Sequence, residues 1–487
     1  MASLSPPRAA AWTLFALALS APIGAPAVAQ RIDVVVSSEA GDRLASKPPI
    51  VFRATAGEAT PAGAILVDDS ERHQKILGFG ASFNEAGMIC INSLAPAAQE
   101  ALLKSVFDAR TGAGFTMMKS PIAATDFMSA GPWYTYDDVP GDTALVHFSI
   151  ARDLGPNGLV TYIKRARRYG KLTIQAPMDY PPDWMLIDPI HRQDVDPRCY
   201  DCLAHYYLRY VQEYARAGVR IDYVSLFNEP LNYTKISYPE IGKLLKEHVG
   251  PLFERSGLKG RLQLSEDVQR EDAPGHYGPV LDDPETMRYV AMIPYHGYDF
   301  GMFDNVALIA KRYPDRLLWM TELCYAYEAG YPTDHVLPRY DFADEDFWAG
   351  QIMGDVGAGA SAWSYWNLVL DETGGPWLVS TPHGDPPGNA QQPLIVVNRK
   401  THEVSYTGAF YAVAHFSKFV RPGSFRIGCA GEDYGIRGMA FERPDGKIAL
   451  ILRNSLASEA TAHVRWRGTA ADVALPGKSI TTCMWRK

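Results

Sequence analysis

Between residues 76 and 366 the sequence alternates short, unbroken apolar runs with longer segments whose apolar residues recur every three or four positions. The runs are Ile76–Phe83, Phe115–Ile122, Leu172–Met178, Tyr223–Phe227, Leu262–Ser265, Val290–Tyr295, Leu317–Thr321 and Ala360–Trp366. Between them lie Pro96–Phe107, Gly158–Tyr169, Cys202–Ala217, Tyr238–Ser256, Met302–Tyr313 and Phe347–Ala358. A period of three to four marks one face of a helix. An unbroken apolar run suits a strand buried on both faces, as a parallel strand beneath helices is. Eight such repeats predict a (β/α)8 barrel, placed at residues 75–400.

The flanks have a different pattern. From about Ser405 the chain carries short β-rich runs: Arg426–Ala430, Gly438–Glu442, Ile448–Arg453, Ala462–Trp466 and Ile480–Trp485. Pro444-Asp445-Gly446 forms a strong turn signal between two of them. They predict a β-sandwich over residues 401–487, joined by an N-terminal β segment at 30–74 that contains Arg31–Val36 and Pro49–Ala54. Residues 1–29 hold one basic residue (Arg8), an apolar run from Ala9 to Ala21 and the small-residue stretch Ala27-Val28-Ala29. This is the pattern of a secretory signal peptide cleaved near Ala29, and it implies a secreted or periplasmic protein.

Composition narrows the function. The chain is 47% hydrophobic and 21% charged, with a formal charge of −8, so it is globular and offers no basic surface for nucleic acid or anionic membrane. Beyond the leader no apolar stretch is long enough to span a bilayer, so stable membrane insertion is not expected. The six cysteines are scattered. Cys199-Tyr-Asp-Cys202 has no second pair and no histidine pattern for a zinc site, and reads as a local disulfide or two free thiols. No Gly-x-Ser-x-Gly elbow, His-Glu-x-x-His helix or phosphate-cradling loop is present, so neither metal nor cofactor is implied. Asn232-Tyr233-Thr234 is formally a glycosylation sequon, but its place beside Glu229 reads as unmodified loop.

A barrel of this kind carries its chemistry where strands end at the C-terminal face. Asn228-Glu229-Pro230 follows the fourth run, Thr321-Glu322 the seventh and His296-Gly297-Tyr298 the sixth. Trp366-Asn367 closes the eighth, Met178-Asp179 closes the third, and Lys119 lies within the second. Glu229 and Glu322 matter most. Glycosidic cleavage takes two carboxyl groups, one to protonate the leaving oxygen and one to attack the anomeric carbon or activate water. Ends of strands four and seven face each other across a barrel mouth.

Taken together, these motifs resemble glycoside hydrolase family 30, in particular its glucosylceramidase-like members. The resemblance runs through Gly78-Phe79-Gly80, Asn84-Glu85-Ala86, Ala124-Thr125-Asp126-Phe127 and Tyr134-Thr135-Tyr136-Asp137-Asp138. It continues in order through Asn228-Glu229-Pro230, Thr321-Glu322, Trp366-Asn367, His415-Phe416-Ser417-Lys418-Phe419, Arg453-Asn454-Ser455 and Met484-Trp485-Arg486. It implies Glu229 as acid/base and Glu322 as nucleophile, with carboxyl groups about 5–5.5 Å apart for a retaining double displacement. It also implies that Asn228 bonds the sugar 2-hydroxyl, Tyr298 steadies the nucleophile, Asp126 binds outer hydroxyls and Trp366 forms a platform under the ring. His296 joins these as a substrate-binding residue. Two positions depart from the family pattern: Lys119 stands in place of Arg, and Asp179 in place of Trp. Both are expected at the sugar pocket, where they either pair with each other or grip further hydroxyls; alternatively Trp184 supplies the missing ring. The expected activity is an exported retaining β-glycosidase, glucosylceramidase-like, acting on a β-linked glucoside in a carbohydrate or glycolipid. The alternatives are the same chemistry on β-1,6-glucan, a β-xyloside or a β-fucoside, and a barrel that binds sugar without cleaving it.

Overall fold

Residue 1 and residues 30–487 are described by a computed structural model, except positions 56, 129–130, 326–340, 379–387 and 432–434. The leader read over the first 29 residues therefore lies, but for Met1, outside the described residues.

The eight apolar runs form one closed parallel barrel. Its strands are Gly78–Ser82, Met117–Lys119, Thr173–Ala176, Tyr223–Ser225, Leu262–Gln263, Val290–His296, Leu317–Glu322 and Ala360–Asn367. Each pairs with the next, and the eighth closes on the first through Ala362↔Gly78 and Ser364↔Gly80. The strands are short, so the residues just beyond them, at the mouth, carry the polar groups. Gly80 shows why the first strand is glycine-rich. A β-carbon there would sit 1.8 Å from the carbonyl oxygen of Met117, and the second strand could not approach. The interior is filled below the mouth by Met117, Met292, Trp319 and Ala362, and the indole N–H of Trp319 donates to Ser364 Oγ at 3.0 Å. The barrel is therefore a packed core with one functional end.

The second layer system is a ten-stranded sheet built from both chain ends. Arg31–Ser38 lies antiparallel to Ser479–Arg486, with Asp33 opposite Met484. Ile65–Lys75 pairs with Phe425–Ala430. Its faces enclose a separate core that includes Ile32, Val34, Ile427, Leu450, Val464 and Val473. At one end of that core the rings of Phe52, Trp466 and Trp485 lie 5.2–5.8 Å apart. This is the sandwich expected from the flanking β runs.

Two features differ from the sequence reading. The tail is not β-rich from Ser405 onward, because Gly408–Phe419 is a helix, capped by Thr407, whose hydroxyl accepts from the N–H of Phe410. The apolar positions Phe410, Val413, Ala414 and Phe416 follow helical spacing, and the helix packs on the barrel, with Phe416 5.5 Å from Phe79 between ring centres. Second, Ile65–Lys75 and Thr469–Leu475 are strands that the apolar runs did not mark. In the former, Ile65, Val67 and Asp69 face in while Leu66, Asp68 and Ser70 face out, and the polar second half conceals the alternation. Cys199 and Cys202 are both free thiols. Among the described residues no helix is long and apolar enough to cross a membrane.

His415 joins the two systems. It sits on the helix Gly408–Phe419 with no exposure, its Nδ1 2.8 Å from Thr482 Oγ1 and its Nε2 2.9 Å from Ser37 Oγ. Burial pushes its pKa down to about 3, so it is neutral and each ring nitrogen finds a hydroxyl that can donate or accept as needed. His415→Ala is expected to lower the unfolding free energy by about 2–4 kcal/mol, through a cavity and two stranded hydroxyls. Urea denaturation monitored by circular dichroism measures this, and an unchanged midpoint would show that the contact contributes nothing.

Candidate active site

Most of the strand ends place a polar side chain at the barrel mouth. Lys119 ends the second strand and is completely buried. Its ammonium donates to Glu322 Oε2 at 2.5 Å, Asn228 Oδ1 at 2.7 Å and Glu266 Oε2 at 3.0 Å. Burial opposes its charge, but the carboxylates of Glu266 and Glu322 outweigh burial and raise its pKa. Glu266, itself fully buried, accepts also from Gln175 Nε2. Burial favours its neutral form, yet the Lys119 and His296 cations bring its pKa down to about 2. Lys119 therefore does not pair with Asp179. It is a three-way anchor behind the two candidate carboxylates.

Glu229 lies just past the fourth strand and Glu322 ends the seventh; they are 4% and 5% exposed. The donor atoms of Glu229, His296 and Glu322 all fall within 4.8 Å of one another. Such a set has the reach to hold a cation, but the positive charge beside it is the protein's own, with Lys119 Nζ 3.4 Å from His296 Nε2. His296 ends the sixth strand directly opposite Glu322 in register. Its Nδ1 is 2.8 Å from Glu229 Oε1 and its Nε2 3.3 Å from Glu266 Oε2. Burial disfavours protonation of the ring, but Glu322 together with hydrogen bonds to Glu229 and Glu266 prevails, and its pKa is pushed up to about 9. A protonated ring donates from both nitrogens at once.

The loop carrying Glu229 is strained. Glu229 and Leu231 have φ of +43° and +74°, a left-handed region that costs a non-glycine residue on the order of 1 kcal/mol or more. The turn is held by Glu229 N–H donating to the Glu266 carbonyl at 2.9 Å, and by the N–H groups of Asn232 and Tyr233 returning to the Glu229 carbonyl at 3.0 Å. The Asn232 amide donates to Glu229 Oε2 at 2.7 Å. Its sequon partner Thr234 is fully buried and donates to the Asp179 carbonyl. Tyr298 donates to Glu322 Oε1 at 2.9 Å, so both oxygens of Glu322 are fixed.

The remaining expected residues are at the same mouth. Asn228 is buried and tied to Lys119. Asp126 accepts from Asn389 Nδ2 at 2.6 Å. Trp366 is 3% exposed, with the Lys119 ammonium 5.0 Å from its ring centre. Asp179 is 2% exposed and lies near Lys119 without a hydrogen bond to it among the described residues. Trp184 gives its indole N–H to the Asp137 carbonyl at 2.9 Å. Sequence reasoning missed Glu266, although the signal was present: it stands immediately after the fifth apolar run, where the other runs carry their polar residues.

The comparisons with known proteins agree with this architecture. A family model described as the glycosyl hydrolase family 30 TIM-barrel domain matches residues 76–420, and one described as the family 30 beta sandwich domain matches residues 423–483. The chain is 27% identical to "Putative glucosylceramidase 3" of Caenorhabditis elegans, over 96% of this chain and 90% of that one. It is also 27% identical to an endo-1,6-beta-D-glucanase of Neurospora crassa, over 83% of this chain and 85% of the other. Among solved structures it resembles SrfJ from Salmonella typhimurium in fold, with a TM-score of 0.83 and 21% identity over 94% of this chain and 100% of that one.

Because the pKa of His296 is raised above that of an unfolded histidine, its contribution to stability is complete below about pH 6.5 and is lost as pH rises through about 9. Wild type is therefore expected to exceed His296→Gln in stability by a margin that shrinks by on the order of 3 kcal/mol over that interval. Denaturation at a series of pH values measures the margin. A pH-independent margin would mean that the ring is neutral.

Proposed function

We propose that the chain, which belongs to glycoside hydrolase family 30, hydrolyses a β-linked glucoside by double displacement. One observation carries this reading: Glu229 and Glu322, from opposite sides of the barrel mouth, present carboxylate oxygens within 4.8 Å of each other. That is the close spacing of retaining enzymes. Inverting enzymes leave about 6.5–9.5 Å between carboxyl groups to admit a water.

In the first step Glu229 gives its proton to the glycosidic oxygen while a Glu322 oxygen attacks the anomeric carbon. The bond to the aglycone breaks, and a glycosyl ester forms on Glu322. In the second step Glu229 takes a proton from water, the water oxygen attacks the same carbon, and Glu322 leaves as carboxylate. Lys119 and Tyr298 hold Glu322 in place from two sides. Tyr298 is kept protonated by burial and by the charges around Cys324, Glu322 and Glu229, which raise its pKa, so it remains a donor. His296 and Asn232 orient Glu229. In this reading Asn228, tied to Lys119, bonds the sugar 2-hydroxyl and Trp366 lies against the ring face.

The relatives named glucosylceramidases support a glucosylceramide-type substrate. The relatives named endo-1,6-beta-D-glucanases favour β-1,6-glucan as a second reading. Rates on glucosylceramide, β-1,6-glucan and aryl β-glucoside, xyloside and fucoside separate them. Export follows from the leader pattern, and mature protein beginning near Gln30 in the cell exterior or periplasm is its test.

Glu322→Ala is expected to abolish turnover, with azide restoring it and yielding the α-glycosyl azide. Glu229→Ala should lose about 10²–10⁴-fold on substrates with poor leaving groups. It should still be glycosylated by activated aryl glycosides, and then give the β-glycosyl azide. Product analysis by NMR reads both outcomes, and wild-type rates in either variant would remove the pair from the mechanism.

A further inference from the structure

The carboxyl group of Asp179 is anomalous. It is 2% exposed, and its Oδ1 is buried with no hydrogen-bond partner among the described residues. Burying a polar atom unpaired costs on the order of 1–3 kcal/mol, and more for a charge. The other carboxyl groups named here are hydrogen-bonded: Glu322 by Lys119 and Tyr298, Glu266 by Lys119 and Gln175, Glu229 by His296 and Asn232, Asp126 by Asn389. The fold itself uses only the backbone of Asp179, whose carbonyl accepts from Thr234.

Its surroundings locate it in the sugar-binding space. The groups that act on its charge are Asp126 from the loop beyond the second strand, Lys119 from that strand, Glu322 from the seventh and Glu229 from beyond the fourth. Tyr233, three residues past Pro230, is buried close enough to interact with it electrostatically. Burial and the three neighbouring carboxylates together raise its pKa well above the ordinary aspartate value, with Lys119 opposing. A carboxyl group in that state can both donate and accept. Adjacent Tyr180 is occupied elsewhere, with the Arg192 guanidinium 3.1 Å from its ring centre and Trp133 packed edge-on at 4.9 Å.

We propose that Asp179 is a specificity-determining residue: its buried, unpartnered carboxyl is completed by a ring hydroxyl of the sugar held between Glu229 and Glu322. The proposal rests on the glycosidase reading above and narrows its substrate to glycones that carry that hydroxyl. A glycone lacking it leaves the carboxyl unsatisfied in the complex, and a site built to bond a hydroxyl rejects the analogue without it.

The test is a double-mutant cycle between protein and sugar. Wild type and Asp179→Ala are compared on an aryl β-glucoside and its monodeoxy analogues. Affinities of the same compounds for Glu322→Gln and Glu322→Gln/Asp179→Ala are measured by calorimetry, so that binding is read even without turnover. One deoxy position is expected to cost wild type about 10- to 100-fold in kcat/KM and in affinity, and to cost the Asp179→Ala proteins almost nothing. Because the fold does not use this carboxyl, Asp179→Ala should keep or raise the Tm. Equal losses on all analogues, or a Tm several degrees lower, would make Asp179 a structural residue and overturn the proposal. If wild type binds the glucosides and shows the coupling but does not cleave them, the glycosidase reading fails while this one stands.

Discussion

Lys119 donates to three oxygens from a position with no access to solvent. One belongs to Glu322, one to Glu266, and one to Asn228, the neighbour of Glu229. These groups come from strand ends two, four, five and seven, so one ammonium fixes a cross-section of the barrel mouth. An isolated charge so buried is prohibitively expensive. It persists because Glu266 and Glu322 surround it, and Glu266 in turn stays ionised because it is there. His296 adds a second cation against Glu229 and Glu266. The compact ammonium of lysine reaches three acceptors from three different strand ends, whereas a guanidinium presents a flat fork suited to one carboxylate.

The cost of this polar floor is offset by what lies below and around it. Trp319 and its neighbours plug the barrel beneath the site, and the helix Gly408–Phe419 braces the first strand through Phe416 and Phe79. The same helix reaches the two-ended sheet through His415. Among the described residues the sheet contacts the barrel without contributing any of the side chains named at its mouth. The left-handed turn at Glu229 is held by its own backbone hydrogen bonds to Glu266, Asn232 and Tyr233.

Much of this was legible in the sequence because burial on both faces leaves a mark. Each barrel strand is an apolar run, and most runs are followed by a polar or aromatic residue; Glu229, Glu322, His296 and Trp366 were singled out that way. What stayed hidden was set by partners distant in sequence. Glu266 stands at a run end, but its part in the site shows only when Lys119 and Gln175 surround it. Lys119 suggested a sugar ligand and proved to be an anchor, because nothing local says which of several carboxylates an ammonium will meet. The strand Ile65–Lys75 was missed because its second half is polar on both faces, and the helix Gly408–Phe419 because strands surround it in the chain.

The central claim is that two carboxylates, held close by a buried cation network, enforce two successive displacements at one carbon. The stereochemistry of the first product tests it most directly, by following the anomeric proton by NMR as an aryl β-glucoside is consumed. The account predicts that the β-anomer of the free sugar forms first and only later mutarotates. Initial release of the α-anomer would contradict it, because a single displacement by water would then have to pass between carboxylates too close to admit one.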